Sequence, residues 1–400
     1  MSDLETLMSA LSGDYKNKDG SYSRLLKSKD TVERIEHDEN KKLATDIDEL
    51  LTIMKNTNAS DLHIATGAPP KYRVNGELRP IRGYSKMNPE DTRNLLTVLL
   101  DDETAEIFDH DGDLDFAYSK QGVGRFRVNM YKQRGSWAAV FRALADDIPD
   151  ASKLGLPTAI TNLISKKRGL ILVTGPTGSG KSTTLASLIN MINQRYRKNI
   201  ITLEDPIEYL HKHNTCNVVQ REMGVDSKNF ASALRSALRE DPDIILVGEM
   251  RDFETISTAV TAAETGHLVF STLHTIGAPA TIDRILDTYP EAAQKQARSQ
   301  LATVIEGVIS QQLIPKADMS GRVAAFEIMT GTTAIRNLIR EGKTEQLTST
   351  IQLAKGDGMR LMDDNLLMLV EDGIISADSA LEFSVDKKLM AQRLNIPLDN

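Results

Sequence analysis

Leu170-Ile171-Leu172-Val173-Thr174-Gly175-Pro176-Thr177-Gly178-Ser179-Gly180-Lys181-Ser182-Thr183 decides the fold. Four apolar residues in a row read as a buried strand. Gly175 to Ser182 then fits the P-loop pattern in full, and a helix opens behind it. Glycines let backbone N–H groups turn inward to cradle phosphates, and the helix N-terminus adds its dipole. Lys181 is expected to reach the β- and γ-phosphates of ATP, and the Ser182 hydroxyl to ligate Mg²⁺. A glycine-rich turn of chance spacing would lack the strand before it and the helix after it.

Three further apolar runs follow, separated by helical stretches: Ile200-Ile201-Thr202-Leu203, Ile244-Ile245-Leu246-Val247 and Leu268-Val269-Phe270-Ser271. Continuous apolar strands alternating with helices predict a buried parallel sheet with crossover helices. Ligands bind such sheets beyond the carboxyl ends of the strands. Glu204 and Glu249 stand at two of those ends. Each is a candidate to polarise the attacking water or to hold Mg²⁺ through water. A common P-loop pattern has Asp at the end of the third strand; here Gly248 takes that place and Glu249 follows. Asp205 and Glu208 read as turn residues. His267 and His274 flank the fourth strand. His274 lies at its carboxyl end and is the candidate nucleotide or interface sensor; His267 fits a structural role equally well.

Residues 1–45 read as a mobile extension dense in charge, and 46–143 as a small α+β domain with an antiparallel sheet. Asn75-Gly76 between alternating residues is a hairpin signal. A linker at 144–157, an ATPase core at 158–290 and a helical C-terminal region at 291–400 complete the plan. The first domain carries Arg125, Arg127, Arg134 and Arg142. Two readings stand for them: a solvated face paired to Asp113 or Asp115, or cations that reach the active site of a neighbouring subunit.

Composition narrows the class. The formal net charge of -8 disfavours a non-specific nucleic-acid binder, because the phosphate backbone would repel it. The single cysteine, Cys216, can form neither an intrachain disulfide nor a four-cysteine zinc site. The start is polar and acidic, unlike a signal peptide, and no apolar run reaches the roughly 18 residues of a membrane span. The expected location is the cytoplasm.

These motifs together resemble the secretion ATPase superfamily, which drives type II secretion and type IV pili. Gly175–Thr183 is similar to its Walker A box and Ile201–Glu208 to its Asp box. Leu238–Asp252 is similar to its atypical Walker B box and Thr265–Thr275 to its His box. Ala59–His63 and Arg125–Asn129 resemble its N-terminal domain. Ala334-Ile335-Arg336-Asn337-Leu338-Ile339-Arg340-Glu341 resembles the signature of the PilT-type retraction ATPases. The resemblance implies a PAS-like first domain, a RecA-like ATPase domain and a homohexamer with arginines acting in trans. It also implies ATP and Mg²⁺ as cofactors, and pilus retraction through an inner-membrane platform protein. A paralogous retraction ATPase is a further expected partner. The extension and type II secretion ATPases usually carry a tetracysteine module, which one cysteine cannot supply. The accessory PilU-type paralogue, an ATPase of another secretion or conjugation machine, and a subunit that binds ATP but barely hydrolyses it are the alternatives. Within Ala334–Glu341, Ile335, Leu338 and Ile339 share one helical face. Arg336 and Arg340 share another and are expected to be free for a neighbouring element or partner.

Overall fold

The computed structural model describes residues 41–145 and 147–397, and the backbone of 14–16 and 22–24. The expected mobile extension lies largely outside the described residues. Strands β1 (Asp14–Lys16) and β2 (Tyr22–Arg24) pair antiparallel. The chain divides into two compact units, 1–143 and 144–400.

The first unit holds β3 (Asp61–Ile64), β4 (Lys71–Val74), β5 (Glu77–Pro80), β6 (Asp113–Lys120), β7 (Gly124–Gln133) and β8 (Ser136–Ala143). They form one antiparallel sheet in the order β5-β4-β3-β8-β7-β6. Asn75 and Gly76 both take positive φ, so the β4–β5 hairpin turns as its Asn-Gly pair predicts. Helices α1 (Ile47–Asn56), α2 (Pro89–Thr97) and α3 (Asp102–Asp111) accompany the sheet. Each begins at an Asp or Asn whose side chain accepts a backbone N–H. Along β7, Phe126, Val128 and Met130 enter the core, which leaves Arg125 and Arg127 on the other face.

The second unit is built on a seven-stranded sheet. Its strands are β9 (Gly169–Thr174), β10 (Asn199–Glu204), β11 (Asn217–Glu222), β12 (Ile244–Val247), β13 (Leu268–Leu273), β14 (Ile305–Pro315) and β15 (Arg322–Thr330), in the order β11-β10-β12-β13-β9-β14-β15. All neighbours run parallel except β14 and β15. The four apolar runs are the central strands. Leu170 and Leu172 feed one core while Ile171 and Val173 feed the core on the opposite face, so no polar alternation is left to see.

The helices are α4 (Thr158–Thr161), α5 (Lys181–Arg195), α6 (Phe230–Ala237), α7 (Phe253–Glu264), α8 (Ala278–Asp287), α9 (Glu291–Val304) and α10 (Thr333–Glu341), followed by α11 (Leu347–Leu353), α12 (Met362–Glu371), α13 (Ala377–Phe383) and α14 (Lys387–Leu394).

One expectation needs correction. The stretch 291–400 is not simply a helical region, because β14 and β15 extend the core sheet to Thr330. Gly307 and the polar run Ser310-Gln311-Gln312 interrupt β14 and hide it in the sequence, yet all four residues are buried. Arg336 pairs with a neighbouring element, one of the two partners expected for it. Its guanidinium donates to Gly331 O at 2.8 Å, to Ala302 O at 3.1 Å and to Thr303 O, and it pairs with Glu306 at 2.5 Å. It therefore closes the carboxyl end of α9, where carbonyls lack helical partners. Arg340 is exposed and, among the described residues, bonds only Asn337, at 2.8 Å. Helix α10 otherwise follows its sequence: Thr332 caps the start, Gly342 ends it at φ 71°, and Ile335 and Ile339 are fully buried.

Candidate nucleotide site

The phosphate-binding loop lies between the end of β9 and α5. Gly180 precedes α5 at φ 88°, and no side chain caps the helix, so its first N–H groups face the loop. Gly175 must lack a side chain because a Cβ there would lie 2.2 Å from Gln311 O. Lys181 Nζ donates to Gly175 O at 2.8 Å and Pro176 O at 3.0 Å, folding the lysine over the loop it serves. Burial lowers the Lys181 pKa, and the fields of Glu249 and Glu208 oppose that shift. Thr183 Oγ1 lies 2.9 Å from the Tyr209 hydroxyl. A cavity of about 340 Å³ opens beside the loop, lined among others by Ser152, Gly155, Gly180, Thr183 and Arg322. That volume falls among small-ligand pockets.

Glu249 follows β12 by two residues, and its side chain is 18% exposed. Arg251 grips it with both arms: Nε lies 2.6 Å from Oε1 and Nη2 2.7 Å from Oε2. His274 Nε2 lies 3.1 Å from the same Oε1. Burial pushes the Glu249 carboxyl up, but Arg251 and His274 outweigh it and hold the group below the usual carboxylate range. His274 and Arg251 thus meet on the carboxylate that follows β12. Glu204 instead accepts from Thr202 Oγ1 at 2.6 Å and from Gln220 Nε2 at 3.0 Å, which ties it to the sheet edge. His267 sits at the far end of β13, its Nδ1 2.9 Å from Ala262 O, in the structural role.

Sequence reasoning missed three residues here. Glu208 read as a turn residue, yet its charge is felt at Lys181. Arg251 follows the expected acid by two residues, and that closeness was the available signal. Gln311 braces the loop from β14, and nothing in its surroundings marks it. In the first unit, Arg142 Nε lies 2.9 Å from buried Asp61, and Arg127 lies 3.6 Å from Asp115. Arg125 stays on β7. Arg134 turns the β7–β8 hairpin at φ 50°, exposed and without an ion pair among the described residues.

A glycine-rich loop, the lysine that opens the helix behind it and an acid just past a neighbouring strand are the marks of a P-loop ATPase. The chain belongs to the type II/IV secretion system protein family, whose pattern matches residues 36–382. It is similar to the type IV pilus retraction ATPase PilT of Pseudomonas aeruginosa, at 48% identity over 84% of this chain and 97% of that protein. A twitching motility protein of Neisseria gonorrhoeae is 45% identical over 81% of this chain and 86% of its own length. The crystal structure of the pilus retraction motor PilT with bound ADP superposes with a TM-score of 0.82. That match is 48% identical and covers 87% of this chain and all of the other. The chain is an ATPase of this kind and binds adenine nucleotide. No described helix is long and apolar enough to cross a membrane.

Proposed function

We propose that this ATPase is a homohexameric motor that retracts type IV pili through an inner-membrane platform protein. The observation that carries the reading is the likeness to a retraction ATPase along nearly that protein's whole length, with the Ala334–Glu341 helix α10 intact. The complete hydrolytic set, Lys181, Ser182 and Glu249, favours a motor over a subunit that only binds nucleotide.

In the mechanism, the N–H groups at the start of α5 and Lys181 bind and orient the phosphates. Glu249 takes up the proton of the attacking water as the phosphoryl bond breaks. His274 holds that carboxylate in place. Mg²⁺, when bound, neutralises phosphate charge. The exposed Ser182 hydroxyl at the start of α5 would hold it, with Glu249 and Glu204 as candidates through water. Among the described residues no group of three His, Cys, Asp or Glu could hold a metal ion. That donor set fits a cation that arrives with the phosphates. Arg134, exposed at a hairpin tip, is the first-unit arginine best placed to serve a neighbouring subunit, ahead of Arg125 and of Arg142 with its Asp61 partner.

Deleting the gene and scoring surface pili and twitching tests the reading. Many surface pili without twitching are expected. Loss of pili would indicate an extension motor, and unchanged twitching would point to another secretion machine. Light scattering of the purified chain should give a hexamer; a monomer with full ATPase activity would refute the assembly.

A further inference from the structure

Strands β14 and β15 bury four polar side chains, and three of them, Ser310, Gln311 and Glu327, at 0%, 3% and 5% exposure, reach toward the loops of the site. Ser310 and Glu327 are cross-strand partners. Burying such groups is costly unless each finds a hydrogen bond. All three do, and the bonds leave the sheet.

Gln311 turns to the phosphate-binding loop. Its Oε1 accepts from Thr184 Oγ1 at 2.7 Å, and its Nε2 donates to Ser179 O at 2.8 Å. Ser310 and Glu327 turn to the loop after β13. Ser310 Oγ accepts the Gly277 N–H at 2.9 Å, and Glu327 Oε1 accepts the Ala278 N–H at 2.7 Å. The other oxygen, Oε2, accepts the Met362 N–H at 3.3 Å, at the start of α12. His274, the partner of Glu249, lies three residues before Gly277 on that second loop.

We propose that Ser310, Gln311 and Glu327 form a buried positioning bar that fixes the phosphate-binding loop and the His274 loop relative to one another. Gln311 sets where the loop N–H groups point, which governs nucleotide binding. Ser310 and Glu327 set where His274 stands, which governs the orientation of Glu249 and therefore turnover. The two arms should thus separate in kinetics, whereas a purely structural role would move both constants together.

The test uses the purified full chain, with ATP binding by titration and steady-state hydrolysis, and thermal unfolding alongside. Gln311→Leu should weaken ATP binding about tenfold. Thr184→Val, nearly isosteric, removes the same bond from the other side and should do likewise if the leucine variant fails to fold. Glu327→Gln keeps the shape but turns an amide N–H₂ toward one backbone donor. It should lower kcat about tenfold while binding stays within about twofold. Thr184→Val binding like the unaltered chain would overturn the proposal, as would Glu327→Gln with normal kcat. So would an equal loss of binding and kcat in every variant. The readout is ATP chemistry alone, so it fails or stands independently of the pilus role.

Discussion

Arg336→Ala should destabilise the ATPase unit rather than simply uncouple it. The guanidinium makes three bonds to backbone carbonyls and one ion pair to Glu306. A hydrogen bond from a charged donor contributes about 1.5–3 kcal/mol, and breaking a buried ion pair costs about 3–5 kcal/mol. Two facts lower the total. The Arg336 side chain is 21% exposed and that of Glu306 15%, so water partly replaces what is lost. Lys166 also remains 2.9 Å from Glu306 and keeps that carboxylate from being left alone. The expected loss is about 2–4 kcal/mol. At roughly 2–4 °C per kcal/mol for a domain of this size, the midpoint should fall by about 5–15 °C. Arg340→Ala removes one exposed bond within its own helix and should stay within about 0.5 kcal/mol. Thermal unfolding of both variants, with Glu306→Ala and the Arg336–Glu306 double variant, measures the difference. The double variant should cost less than the sum of the two singles, because they share one interaction. An unchanged midpoint in Arg336→Ala would refute the reasoning and return Arg336 to the role of a free coupling residue.

The catalytic residues give direct tests. Lys181→Ala should abolish measurable ATP binding, while Glu249→Gln should keep binding and lose about 10²–10⁴-fold in kcat; near-normal turnover in the glutamine variant would remove Glu249 as the base. Arg251 neutralises Glu249 from a side chain that is 76% exposed, so Arg251→Ala should raise the Glu249 pKa. Activity that needs the ionised carboxylate would then be lost at a higher pH as the solution is acidified, and an acid limb that does not move would contradict the pairing. His211 is pushed down to about 4 by burial, against 6.5 unperturbed. The unfolded chain therefore takes up a proton first as pH falls, and up to about 3 kcal/mol of stability is lost between pH 6.5 and 4. Denaturant unfolding across that range should show the loss in the unaltered chain and a smaller one in His211→Leu.

The parallel sheet, the loop and the acid at the end of β12 were legible because local chemistry dictates them. Leu170–Val173 can only be a doubly covered strand, and the glycines at 175, 178 and 180 have no use in an ordinary turn. The hairpin at Asn75-Gly76 is the same kind of signal. Strands β11 and β14 escaped because a polar residue inside a strand looks like its end. Gln220 holds Glu204 and the Tyr209 carbonyl from β11, and Gln311 holds the phosphate-binding loop from β14. Both interrupt the apolar run that would have announced the strand.

The same logic separates two arginines that look alike. Arg336 and Arg340 stand four residues apart on one helical face, and nothing local distinguishes them. What distinguishes them is the end of α9, which brings the Ala302 and Thr303 carbonyls and Glu306 to Arg336, about one turn before Arg340. Gln311 likewise acts on a carbonyl 132 residues away. Helix and strand periodicity report which face a residue occupies, and for apolar side chains the face is nearly the whole role. For a polar side chain the role belongs to a partner, and here the partners come from distant segments that only the folded sheet assembles. The motor's support residues are therefore written in the tertiary structure, while its phosphate chemistry is written in the sequence.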